Sequence, residues 1–224
     1  KPNYVLASKY IPCWIALLQK IAVAANEATD VDEALQVCID EICSYTGWPV
    51  GHAYLLADDD SGELMPTKLW HLDDEKIYNS FKEITEQTRF ASGVGLPGRV
   101  LATRKPAWID DIKNDTNFPR ARMAENLGVH AAFAFPISVA DKTMGVLEFF
   151  SDSPATVNQV LLDEMTNLGA QIGRVIERER AAQALRESEQ KNREFASDAA
   201  HELRTPLAVF RASLDGLDVG EKTE

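Results

Sequence analysis

Basic residues are scarce in this chain. Against 35 aspartates and glutamates stand 23 lysines and arginines, a formal net charge of −12 with a pI near 4.8. Binding to DNA, RNA or an anionic membrane needs a basic surface that displaces counterions from phosphates, so this balance argues against all three. Long apolar runs are lacking as well. The longest, Ile11 to Ala25, is broken by Gln19 and Lys20 and falls short of the roughly 20 residues that span a bilayer. No transmembrane segment or signal peptide is read. Cysteine is limited to 3 residues, an odd count, and Cys38 and Cys43 point in different directions on a predicted helix. Free thiols in a reducing cytoplasm are expected, with a metal or redox role the minor reading. The first residue is Lys1 rather than Met, and the chain stops at Glu224 in a polar run after Gly220, so both ends read as cuts in something longer.

Hydrophobic periodicity organises what is present. Two amphipathic helices are predicted first, Tyr10 to about Asn26 and Asp32 to about Thr46, the second with Leu35, Ile39 and Ile42 on one face, Asp30 or Asp32 as its cap and Gly47 after its end. Val50–Ala57 and Leu64–Leu72 read as strands joined by the acidic turn Asp58–Gly62. Asp74–Thr88 returns to helical spacing. Gly93–Gly98 is turn material before a short helix near Val100, and a strand follows at Ala107–Ile109. After a loop through Asn117–Pro119 and a short helix to Leu127, two strands are predicted, His130–Val139 and Thr143–Ser151. The sum is an α+β fold, a mostly antiparallel sheet of about five to six strands covered by helices.

From about Thr156 almost no turn residue interrupts helical spacing until Pro206. Leu168, Ile172, Val175, Glu179 and Ala182 alternate at four and three residues; Leu185, Ser188, Asn192, Phe195 and Ala199 continue in a shifted frame. That alternation is a coiled-coil seam, weakened by its polar members, and predicts a dimeric rod able to shift between packings. A solvated single helix is the plainer alternative.

Near its end the helix carries a chemical feature. With Ala199 set at zero and about 100° per residue, Leu185, Phe195, Leu203, Leu207, Phe210, Leu214 and Leu217 fall in one apolar stripe. His201 falls on the opposite side at about 200°, Thr205 shares its face one turn on, and Glu202 adjoins it. Pro206 is expected to bend the helix just beyond. An outward imidazole beside a carboxylate suits nucleophilic attack on a phosphoryl group, the acid orienting the ring and taking its other proton.

The run Phe195-Ala196-Ser197-Asp198-Ala199-Ala200-His201-Glu202-Leu203-Arg204-Thr205-Pro206-Leu207 resembles the H-box of the histidine-kinase dimerisation and phosphotransfer domain almost position for position. The resemblance implies a bacterial two-component sensor histidine kinase. It makes His201 the phosphoacceptor, Glu202 its acid or base and Thr205 the residue that helps dephosphorylate a response-regulator partner. It covers only the first helix of that domain, so ATP and Mg would be supplied through a domain not found in this sequence, and the fragment is expected to be inactive alone. Gly93–Val100 matches glycine-rich phosphate loops, yet a polar helix rather than a strand precedes it and no kinase lysine or Asp-Phe-Gly motif follows.

Gly95-Leu96-Pro97-Gly98-Arg99-Val100, Pro106-Ala107-Trp108-Ile109, Asn117-Phe118-Pro119-Arg120-Ala121, Ala132–Ile137 and Gly145–Phe150 together resemble a GAF domain. The resemblance implies a pocket for a small ligand between one face of the sheet and the central helices and loops. Cyclic-nucleotide and bilin signatures are missing. Trp70, His71, Phe118, Arg120, His130 and Phe135 are the candidate lining residues, with core and surface roles equally open to them, and haem through His71 or His130 is a minor alternative. The expected organisation is an N-terminal helix (1–28), a GAF sensor domain (29–153), a signalling coiled coil (154–194) and the truncated phosphoacceptor helix (195–224), acting as a cytoplasmic homodimer. The rival reading is a non-catalytic GAF module for ligand binding or dimerisation.

Overall fold

The computed structural model of the chain describes residues 17–23, 28, 30–122, 127–140 and 142–218, and of residues 122, 198 and 201–218 only the backbone. Two compact units make up the chain, Lys1–Glu177 and Arg178–Glu224.

In the first unit, Asp30 caps helix α1 (Val31–Thr46) by accepting a 2.8 Å hydrogen bond from the Glu33 amide, and Gly47 ends it at φ +70°. Strands β1 (Val50–Leu56) and β2 (Leu64–Leu72) form the expected hairpin. Helix α2 (Glu75–Glu86) starts at Asp74, whose carboxylate accepts from the Lys76 amide. Helix α3 spans Gly95–Thr103, beginning inside the glycine segment expected to be turn. Its start is legible afterwards, because Pro97 in a first helical turn forfeits no hydrogen bond. Strand β3 (Ala107–Ile109) precedes two 3-10 turns, Ile112–Asn114 and Pro119–Arg122, and β4 (Ala131–Val139) and β5 (Lys142–Ser151) form a second hairpin. The sheet order is β2-β1-β5-β4-β3, every pair antiparallel.

Because side chains alternate along a strand, the sheet has two different faces. On one, Ala53, Phe133, Phe135, Ile137, Leu147 and Phe149 pack with Leu35, Ile39 and Ile42 of α1 and with Leu17 and Ile21. On the other, Tyr54, Ala132, Ala134, Val146 and Phe150 pack with Tyr78 and Phe81 of α2, Leu96 and Val100 of α3, Ile112 of the first 3-10 turn and Phe118 just before the second. This second face holds the candidate site.

Helix α4 runs Gln159–Asp218. Leu168, Ile172 and Val175, which the four-three spacing assigns to an inter-chain seam, are instead buried within the first unit, Leu168 and Ile172 beside Met165 in the core of the first face and Val175 against Ala34. An apolar stripe at that spacing fits a sheet as well as a partner helix. Gly169 and Gly173 decide between them, since a Cβ at either would overlap the carbonyl oxygen of Pro136 or Ser138 on β4. The helix therefore lies directly on strand backbone. The second unit is helical from Arg178 to Asp218, through Pro206 where a bend is expected, and exposes Leu185 and Phe195.

Candidate functional site

The site grows from two strand positions that break the apolar pattern of the second face. On β5, Glu148 alternates with Val146 and Phe150; on β1, His52 alternates with Val50 and Tyr54. The two strands pair in a register that sets His52 opposite Glu148. Both side chains are fully buried, so each needs a partner.

Arg120, from the second 3-10 turn, answers Glu148. Its Nη1 and Nη2 each donate a 2.7 Å hydrogen bond to one carboxylate oxygen, and Nη1 also donates to Thr85 Oγ1 at 3.1 Å. The guanidinium is 1% exposed and lies 4.9–5.2 Å from the centroids of four rings, Phe81, Phe90, Phe118 and Phe150. Those distances are within cation–π range. His52 Nδ1 lies 3.3 Å from Glu148 Oε1 and Nε2 lies 3.3 Å from the Thr67 carbonyl, while its ring stacks on Trp70 at 4.0 Å. Tyr54 donates its hydroxyl to the Thr85 carbonyl. Among the described residues, Arg120 Nε is a buried donor without a partner.

Burial disfavours every charge here, and pairing decides which survive. For Glu148, burial is outweighed by the charge and hydrogen bonds of Arg120 and the contact with His52, which hold the carboxyl below its usual range. Arg120 is likewise held above its ordinary value by Glu148 in spite of burial. His52 goes the other way: burial outweighs the attraction of Glu148 and keeps the ring neutral. The cluster is thus one cation, one anion and one neutral imidazole inside an aromatic shell.

Of the six residues singled out from sequence as pocket candidates, Trp70, Phe118 and Arg120 converge on this cluster. Phe135 lies on the opposite face, stacked on Phe149. His71 bridges Asp40 and Asp73 at 2.8 and 3.1 Å near the surface. His130 precedes β4, where its amide donates to Ser151 and its carbonyl accepts from Ile112. The sequence reading overlooked His52, Thr85, Phe81, Phe90 and Glu148. A signal existed for Glu148: it is the one charge in Gly145–Phe150 and shares parity with two apolar neighbours.

The glycine segment is held by its own chain. Asn117 Oδ1 accepts from the Gly95 amide, Asn117 Nδ2 donates to the Gly93 carbonyl, and the Gly93 and Gly98 amides bond to Gly98 and Val94 carbonyls. Cys38 and Cys43 are free and buried on the first face, with the Cys38 thiol pushed up to about 12 by burial; Cys13 lies outside the described residues. Among the described residues no cluster could hold a metal ion, and no helix is long and apolar enough to cross a membrane. His201, Glu202 and Thr205 fall on α4, but their side chains lie outside the described residues.

An antiparallel five-stranded sheet with helices on both faces and an enclosed polar cluster on one defines an α+β module of the signalling and ligand-binding class. The chain belongs to the GAF domain family, whose profile matches residues 28–177. Solved structures agree on the fold. The GAF domain of a phosphoenolpyruvate-protein phosphotransferase from Coxiella burnetii is similar at 18% identity and TM-score 0.63, over 76% of this chain and 96% of that one. The corresponding Acinetobacter domain gives 16% and 0.60 over 76% and 96%. Free methionine-R-sulfoxide reductase from Neisseria meningitidis, solved with its substrate, gives 19% and 0.59 over 74% and 89%. No curated protein matches the chain.

Proposed function

We propose that this chain is the sensor and phosphoacceptor portion of a two-component histidine kinase. The observation that carries the reading is the run Phe195–Leu207, with its core His-Glu-Leu-Arg-Thr-Pro-Leu, on the helix that begins within the GAF unit. In this reading the GAF domain takes a small ligand or relays a signal, and a dimeric helix presents His201. A separate domain of the parent kinase holds ATP and Mg. One imidazole nitrogen attacks the γ-phosphorus, the bond to the β,γ-bridging oxygen breaks and ADP leaves, while Glu202 orients the ring and receives the proton from the other nitrogen. The phosphoryl group then passes to an aspartate of a response regulator, and Thr205 assists its later removal. A non-catalytic GAF module has no use for this run.

The test restores the second helix of the bundle and supplies the parent's catalytic domain in trans with labelled ATP. Acid-labile label on His201 is expected, lost in His201→Gln with the fold intact. Glu202→Gln slows labelling by about 10²-fold, the usual scale of acid–base assistance. Thr205→Ala spares labelling and slows dephosphorylation of the regulator. Label that survives acid, or persists in His201→Gln, overturns the proposal.

A further inference from the structure

The enclosure around Arg120 has the parts of a cation receptor, and its occupant is part of the chain itself. Phe81 and Thr85 come from α2, Phe90 follows that helix, Phe118 precedes the 3-10 turn, and Glu148 and Phe150 come from β5. Four ring faces, one carboxylate and one hydroxyl thus converge from separate elements on a single guanidinium. A stable core does not require this. Replacing a buried ion pair by packed apolar side chains is often neutral or stabilising, because desolvation cancels the attraction. The fit is also incomplete, since Nε has no acceptor among the described residues. The guanidinium arrives on a four-residue turn, Pro119–Arg122, and not on a strand or long helix, so withdrawing it leaves the ladder of the sheet untouched.

We propose that Phe81, Phe90, Phe118, Phe150, Thr85 and Glu148 form a binding site for an alkylguanidinium ligand, and that Arg120 occupies it as a tethered competitor. The chemistry selects that class. Glu148 accepts a planar two-pronged donor and Thr85 a third N–H, which guanidinium supplies and a quaternary ammonium does not. Charge is conserved, because one cation replaces another against Glu148. Release of Arg120 would free the turn that carries it, giving occupancy a mechanical consequence. This inference rests on reading the GAF domain as the ligand-sensing part of the chain; it does not depend on phosphoryl transfer.

The test titrates the 224-residue chain with methylguanidinium chloride, with tetramethylammonium chloride and sodium chloride as controls at equal ionic strength. Concentrations stay below about 50 mM, far under the molar range in which guanidinium salts unfold proteins. In the native chain the Arg120 Nε–H resonance should fade saturably with methylguanidinium alone, with a midpoint on the order of millimolar set by the tether's effective concentration. In Arg120→Ala the midpoint should fall by about tenfold or more as the competitor is removed, and methylguanidinium should raise the unfolding temperature or restore folding if the variant is unfolded. Thr85→Val should weaken the native response and Glu148→Gln abolish it. The proposal is overturned if Arg120→Ala responds to both cations alike or to neither. It is equally overturned if that variant binds but the native resonance never fades, since Arg120 is then a permanent filler. Neither outcome touches the labelling of His201, so failure here is separable from failure of the kinase reading.

Discussion

Arg120 and Glu148 meet end to end in the core, both Nη atoms on both carboxylate oxygens at 2.7 Å, with 1% and 0% of their side chains exposed. Removing one partner leaves the other charged and buried. Arg120→Met or Glu148→Leu alone should therefore lower stability by roughly 3–5 kcal/mol, whereas the double variant should recover much of that loss. Urea unfolding of the three variants checks it; a double variant as unstable as the sum of the two would show no coupling between the groups and refute the argument that each single loss strands the partner's charge.

Acid should weaken the fold through the same cluster. His52 is neutral when folded, its pKa depressed by burial against the pull of Glu148, with Arg120 adding a smaller repulsion. Below the ordinary imidazole value of about 6.5 the unfolded chain binds a proton that the folded chain refuses, so stability falls as pH drops, by up to about 1.4 kcal/mol per pH unit. Glu148, also depressed, adds a loss of the same sign as pH falls through its ordinary range near 4.5 and toward its lower folded value. Tyr54, pushed up by burial, stays neutral across this window. In His52→Gln the slope just below pH 6.5 should flatten, whatever that variant's stability at pH 7; an unchanged slope would mean that His52 titrates alike in both states.

Much of this architecture can be read before any coordinates exist. Strand periodicity and turn residues fix β2 and β3 to the residue, because Leu64–Leu72 and Ala107–Ile109 are bounded by Gly62, Asp73, Pro106 and Asp110. The cluster is harder, since it depends on which strand lies beside which. Nothing local tells that His52 faces Glu148, 96 residues away. Phe135 and Phe150 look alike in sequence, yet strand parity sends them to opposite faces. The early part of α4 misleads for a related reason: Leu168 and Ile172 carry a spacing common to seams and to sheet contacts, and only Gly169 and Gly173 between them signal the close backbone approach.

That approach yields a prediction of its own. Glycine inside a helix is usually a weakness, and alanine would gain about 1 kcal/mol in propensity. At Gly173 the added methyl group overlaps the Ser138 carbonyl, a backbone atom that cannot rotate away. Overpacking of this kind costs about 1–3 kcal/mol, so Gly173→Ala should destabilise the first unit on balance. Thermal unfolding of the 224-residue chain provides the measurement, and a stabilised variant would show that α4 can lift off β4 at little cost.

The last prediction concerns association. Burial of Leu168, Ile172 and Val175 within their own chain removes them as contributors to a seam, so the predicted seam is carried by positions beyond Glu177. There Leu185 and Phe195 are 61% and 76% exposed, ten residues apart at the four-three spacing. Two large apolar side chains left in water on a stretch of helix, Arg178 to Phe195, otherwise rich in Glu, Gln, Lys and Arg favour a parallel partner that covers both. The chain should therefore be a homodimer by light scattering at roughly tens of micromolar, association being concentration-dependent. Leu185→Arg together with Phe195→Arg should make it monomeric, because two like charges would then face each other across the seam. The unfolding temperature of the GAF unit should not change, since neither side chain belongs to its core. A wild-type monomer would refute the seam, and a dimer that survives both substitutions would place the interface elsewhere than at Leu185 and Phe195.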